Sequence, residues 1–148
     1  MTEESKMQHL GFIQNIITRM NTNSFQVKGM AIAIVSALLA IYASTTNVAF
    51  VFLGIVPTIL FLFCDSYILL QERKFRGVYN DVAGLTKEIE VRPYEMPIDK
   101  YTKKVDRQYS YCNILFSKTM TIYWTVAFLL LFAGLILKFK DCIIINCK

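Results

Sequence analysis

The chain has 148 residues, of which 55% are hydrophobic and 18% are charged, and its formal net charge is +5. Both shares depart from those of ordinary soluble domains in the direction of a membrane protein. No charged residue occurs from Gly29 through Cys64 or from Thr119 through Leu137. A membrane-spanning helix needs roughly 20 apolar residues, so the first run is long enough for two spans and the second for one. The basic residues flank these runs, which favours a role in membrane orientation over direct nucleic-acid binding.

The first segment, residues 1–23, is predicted to be an amphipathic helix. At about 100° per residue, its apolar side chains share one arc, which indicates a helix that lies on a membrane or packs on a partner. The polar stretch "NTNS", Asn21 to Ser24, is expected to end this helix and to cap the next one. The residues of the apolar arc are Leu10, Phe12, Ile13, Ile16, Ile17 and Met20.

Residues 25–70 are predicted to form a transmembrane helical hairpin, with spans at about 25–43 and 48–70. The uncharged polar turn "STTN" joins the two spans. Pro57 lies within the second span, removes one backbone hydrogen bond and should bend the helix near Leu53. Membrane helices tolerate proline, so Pro57 needs no functional explanation. The alternative interpretation is that Pro57 is a gating hinge. The second span is expected to continue as a helix toward Asp81.

The remaining chain divides into three parts. Residues 71–118 are expected to form a cytoplasmic helix extension followed by a polar loop. The third apolar run predicts a transmembrane helix at 119–137, and the aromatic pair at its start, Tyr123 and Trp124, marks a membrane interface. Residues 138–148 form a tail. The predicted fold class is therefore an all-α integral membrane protein.

The distribution of positive charge predicts the orientation. Thirteen of the sixteen Lys and Arg precede the third apolar run, and three follow it. This asymmetry predicts that the N-terminus and the 71–118 segment are cytoplasmic, which places the tail outside in a three-span chain. In an oxidising compartment Cys142 and Cys147 could then form a disulfide. The alternative is that a helical tail holds their sulfur atoms apart.

Asp65 is the acidic residue that borders the first apolar run. A carboxylate in hydrocarbon costs a few kcal/mol, so it is expected to have a partner. In an antiparallel hairpin that turns near Thr45 and Thr46, residues at equal depth have numbers that sum to about 92, which sets Asp65 level with Lys28. The prediction is an interhelical Lys28–Asp65 ion pair or a shared polar layer. The alternative is that Asp65 lines an ion path or senses protons.

A stripe of small residues follows the first span. Small side chains let membrane helices approach closely, so part of this face is expected to pack within the hairpin, and the rest is available for association between copies of the chain. The stripe comprises Gly29, Ala33, Ser36, Ala37 and Ala40.

The stretch "QERKFRGVYND" brings Glu72, Arg73 and Arg76 just inside the predicted membrane, level with Arg19 of the first helix. These charges indicate either a solvated helix end or a cytoplasmic interface for a partner or ligand. The sequence has neither metal-spaced Cys and His residues nor a Gly-rich phosphate loop. We therefore expect no enzymatic activity and no cofactor.

The stretches "IITRMNTNSFQVKGM" and "DSYILLQERKFRGVYNDV" resemble the bacterial two-transmembrane modules called SLATT domains. The resemblance covers Ile16 to Val82, and the third apolar segment departs from it. It implies a membrane effector of anti-phage conflict systems that assembles and permeabilises the inner membrane. The residues that coincide with polar features of such modules are Lys28, Asp65, Glu72, Arg73 and Arg76.

The function expected from the sequence is therefore a homo-oligomeric effector in the bacterial inner membrane. It would permeabilise or depolarise that membrane, under the control of a cytoplasmic sensor or effector protein. Two alternatives stay open: a constitutive small ion channel or transporter, and a membrane anchor or scaffold for a soluble partner.

Overall fold

A computed structural model describes residues 2–86, 89–102 and 109–146. The described residues form helices, turns and loops without a β-strand. Three stretches, Glu3–Thr45, Ala49–Ala83 and Lys118–Lys140, are helical, long and apolar enough to cross a membrane. The helices are α1 (Glu3–Thr45), α2 (Ala49–Leu53), α3 (Ile55–Ala83), α4 (Ile98–Thr102), α5 (Tyr111–Leu115) and α6 (Thr121–Asn146), with a 3-10 turn at Lys118–Met120 before α6.

The predicted break at Asn21 to Ser24 is wrong, because α1 is one continuous helix from Glu3 to Thr45. The threonines before and within this stretch hydrogen-bond backward along the helix instead of capping it: Thr18 Oγ1 donates to the Gln14 carbonyl (3.0 Å) and Thr22 Oγ1 to the Thr18 carbonyl (3.1 Å). Ser24 is buried on the same side of the helix as Ile17. Packing of one face thus overrides the weak preference of these residues for a cap.

The helix is interrupted next to Leu53, the position at which Pro57 predicts a bend. Helix α2 ends at Leu53 and α3 begins at Ile55, with Gly54 in a turn between them. Pro57 has no N–H to donate to the Leu53 carbonyl, which removes one bond from the helical ladder. Thr58 compensates in part, since its hydroxyl donates to the Gly54 carbonyl across 2.8 Å.

The helical continuation of the second span is confirmed, since α3 extends to Ala83. At the other end of the hairpin the turn contains Thr46 in a left-handed backbone conformation, with a φ of 54°. Helix α6 continues beyond the predicted end of the third span at Leu137 and reaches Asn146, so the described part of the tail is helical. Cys142 lies exposed on this helix, and Cys147 is outside the described residues, so their disulfide stays a prediction.

The chain divides into two compact units. The first unit comprises Met1–Phe25 and Ser66–Phe116. Apart from Phe12, which is 53% exposed, the apolar arc of the N-terminal helix packs inside this unit. The sequence had led us to expect contact with a membrane surface or a separate partner. Ile13 and Ile17 are buried in one cluster with side chains of α3 and α4: Phe75, Val78, Val82 and Tyr101.

The second unit comprises Gln26–Asp65 and Ser117–Lys148. Its core cluster joins one residue from each of three helices: Val35 of α1, Val51 of α2 and Leu130 of α6. Gly134 of α6 lies against the Phe52 ring, whose Cε1 and Cζ atoms would be 2.8 Å from an added Cβ. A section of each of the three candidate spans therefore packs in this unit.

Candidate functional site

The predicted Lys28–Asp65 ion pair is present in the second unit. Lys28 Nζ lies 2.5 Å from Asp65 Oδ2. The Asp65 side chain is fully buried, and 19% of the Lys28 side chain is exposed. The residues are brought together by the antiparallel course of α1 and α3, as the count from the turn predicted. The Lys28 ammonium compensates the negative charge of Asp65, because an unpaired carboxylate would be buried at a high cost in free energy.

Tyr123 of α6 completes this polar layer. Its hydroxyl donates a hydrogen bond to Asp65 Oδ2 across 3.2 Å, and its ring is buried. The sequence predicts a membrane interface at Tyr123 but does not predict this bond. The one signal available was its position near the start of the third apolar run, where a phenol can combine a buried ring with a hydroxyl that needs a partner. We call Lys28, Asp65 and Tyr123 the polar layer.

A cavity of about 20 Å³ adjoins the polar layer. Lys28, Thr58 and Tyr123 line it together with apolar side chains of α1 and α6. Its volume is comparable to that needed by one water molecule. The polar layer can thus hold a charge pair and a phenolic donor beside a small space within the second unit.

The small-residue stripe lies on the opposite side of α1 from the polar layer. Gly29 has no atom within 4 Å of a Cβ added to it. The buried residues of this stretch, Ala31 and Val35, are 5% and 7% exposed and form the face toward the other helices. The stripe residues themselves, Gly29, Ala33, Ser36, Ala37 and Ala40, are all exposed. The expectation that part of the stripe packs within the hairpin is therefore wrong, because Ala31 and Val35 form the packed face instead.

The charged residues after the second span lie in the first unit. Glu72 is buried, and its Oε1 atom accepts a hydrogen bond from Arg76 Nε. The same Oε1 atom lies 2.7 Å from Arg76 Nη2. The partner of Glu72 is thus Arg76, one turn away on α3, and not Arg19 at the corresponding level of α1. Arg19 is exposed, and Arg73 is half-buried. Among the described residues, no group of three or more His, Cys, Asp and Glu side chains is arranged to hold a metal ion.

Comparison of the chain with family models, with curated proteins and with solved structures finds no match. The geometry of the described residues defines the class: a helical protein with three helices that could cross a membrane and a buried polar layer among them.

Proposed function

We propose that the chain is a three-span protein of the bacterial inner membrane that assembles from several copies and permeabilises or depolarises that membrane. The observation that carries the proposal is the division of α1 into two faces. One face is engaged by the polar layer and the core, and the opposite face presents an exposed row of small residues.

Helices associate in lipid largely through close packing of their side chains. Because lipid tails are as apolar as leucine, burial of apolar surface adds little, and close approach at small side chains adds more. The exposed stripe offers such an approach to a neighbouring copy. Three helices enclose no aqueous path of their own, and the cavity of about 20 Å³ beside the polar layer is too small for one. Permeation therefore requires several copies.

The resemblance of residues 16–82 to SLATT modules supports a role in anti-phage defence, and we assign control of the activity to a cytoplasmic sensor or effector protein. The first unit, which contains the segment 71–116 and the N-terminal part of α1, is the part of the chain we assign to that contact. The N-terminus is assigned to the cytoplasm and the C-terminus to the outer side, from the charge count.

The test is induced expression in bacterial cells that carry a potential-sensitive dye. We expect depolarisation and arrest of growth with the natural chain, and loss of both with Ala33→Leu, which places a bulky side chain on the stripe. Leu38→Ile is the matched control, because it preserves size and lies off the stripe. It should keep full activity at equal membrane abundance.

Mass measurement of the purified protein in lipid discs separates assembly from folding. The natural chain should be an oligomer, and Ala33→Leu should be a folded monomer. Ala31→Leu, at a buried position, should instead lower the yield of folded protein. A natural chain that stays monomeric over a range of detergents would sink the proposal. Unchanged membrane potential together with a co-purifying soluble protein would favour the scaffold function instead.

A further inference from the structure

A second cavity, of about 290 Å³, lies within the first unit between α1 and α3. It is close to the lower end of the volumes typical of small-molecule sites. Ile17, which belongs to the buried core cluster, contributes an apolar part of its lining. The other lining residues are polar: Gln14, Thr18 and Asn21 of α1 and Arg76, Tyr79 and Asn80 of α3.

The hydrogen-bonding groups of this cavity are largely unused. Within the described part of the chain, the side-chain amides of Gln14, Asn21 and Asn80 make no hydrogen bond, and neither does the Tyr79 hydroxyl. Each amide offers both donors and acceptors. Side chains from two helices thus direct both donors and acceptors toward one space, and the core cluster lies behind them.

The charge in the cavity is balanced. Arg76 contributes a guanidinium, but its Nε and Nη2 atoms each lie 2.7 Å from Oε1 of the buried Glu72. The carboxylate neutralises the positive field that an anionic ligand would need. The remaining guanidinium N–H groups still donate hydrogen bonds.

Tyr79 adds an aromatic surface. It packs against the core cluster that contains Ile13 and Val78, and it also lines the cavity. An aromatic side chain fixed in this way can support the apolar face of a ring, while amides beside it bind groups at the edge of that ring.

We propose that this cavity binds an uncharged, polyhydroxylated ligand the size of one sugar ring. A sugar hydroxyl both donates and accepts at its oxygen atom, so it can bond either to the carbonyl oxygen or to the amino nitrogen of a side-chain amide. The C–H face of such a ring matches Tyr79, and the absence of ligand charge matches the Glu72–Arg76 pair. The site is separate from the polar layer and is not required by the proposed permeabilisation.

The test uses the full chain in lipid discs and saturation-transfer NMR with glucose, galactose and mannose as probes, each compared with its phosphorylated form. We expect saturable binding of at least one neutral sugar, and weaker binding of its phosphorylated form. Asn21→Leu should reduce the affinity at least tenfold. This change raises helix propensity at an exposed position, so the fold should be retained.

Asn23→Leu is the matched control, because Asn23 is exposed on the same helix but does not line the cavity. It should bind as the natural chain does. The proposal is overturned by the absence of saturable binding for every neutral sugar, by preference for the phosphorylated form, or by equal effects of the two asparagine changes.

Discussion

Tyr123 and Lys28 contact the same atom of Asp65, the Oδ2 oxygen, from two different helices. One buried carboxylate oxygen therefore ties α6 as well as α1 to α3. The polar layer thus connects three helices, whereas the sequence predicted a connection between two.

Tyr123→Phe removes only the tyrosine hydroxyl from the polar layer. We expect a loss of about 1.5–3 kcal/mol in the free energy of unfolding, because the lost bond goes to a charged acceptor that stays buried. Thermal unfolding in a fixed detergent measures this change. Tyr67→Phe is the control, since Tyr67 is 59% exposed. Equal stability of the two variants would contradict the assigned role of Tyr123.

Asp65→Leu should destabilise the chain by about 3–5 kcal/mol, because it leaves the Lys28 charge without its buried partner. The paired change Lys28→Met with Asp65→Leu should recover most of that loss. Glu95→Gln, which removes the exposed and longer Lys100–Glu95 pair (3.6 Å), should have little effect.

Exchange of the two charges distinguishes structure from activity at the same site. Lys28→Asp together with Asp65→Lys should restore the amount of folded protein that each single change lowers. If the exchanged pair folds and also depolarises cells, Asp65 has a structural role. If it folds but is inactive, the alternative in which Asp65 lines an ion path or senses protons gains support.

Gly77→Ala should destabilise the first unit by about 1–3 kcal/mol, as overpacking does in cores. An added Cβ would lie 2.5 Å from Tyr109 Oη and 2.7 Å from Tyr101 Cε1. Gly11→Ala is the matched control, because a Cβ there meets nothing within 4 Å. Since Gly11 lies inside α1, that change should stabilise the helix by about 0.5–1 kcal/mol. Chemical unfolding of both variants checks the opposite signs, and a stabilising Gly77→Ala would refute this packing.

The charge count predicts the location of each end of the chain. Alkaline phosphatase fused after the tail should be active, because that enzyme requires the extracytoplasmic side. The same fusion placed after Gly84 should be inactive. A fluorescent-protein fusion should give the reverse pattern. An active phosphatase at Gly84 would contradict the assigned orientation.

The hairpin was predictable because its geometry depends on local counting. The turn, the depth of Asp65 and its partner Lys28 follow from helix rise and from the cost of a lone charge in an apolar run. The disturbance near Leu53 follows from the chemistry of Pro57 alone. Each of these features involves residues within one hairpin, where the connection is too short to allow another register.

Features that depend on distant parts of the chain were missed. The register of α6 against the hairpin is set by packing at residues such as Gly134, and a long connecting segment leaves it undetermined by counting. The continuity of α1 was missed for a related reason, since cap-forming residues signal a break only where no packing opposes it. The polar cavity likewise requires the faces of α1 and α3 to be known together.

The two faces of α1 also give the chain two separable mutational signatures. Ala31 and Val35 face the core, whereas Gly29, Ala33 and Ala37 are displaced from them by roughly half a helical turn. In a saturation mutagenesis scan scored by protein abundance, the loss of abundance should recur with the helical period, and its maxima should lie at positions on the same face as Ala31. A scan scored by growth arrest should show a second set of sensitive positions with the same period, and these should lie on the nearly opposite face of the helix. The phase difference alone would then sort each substitution into a defect of folding or a defect of assembly, without purification of any variant.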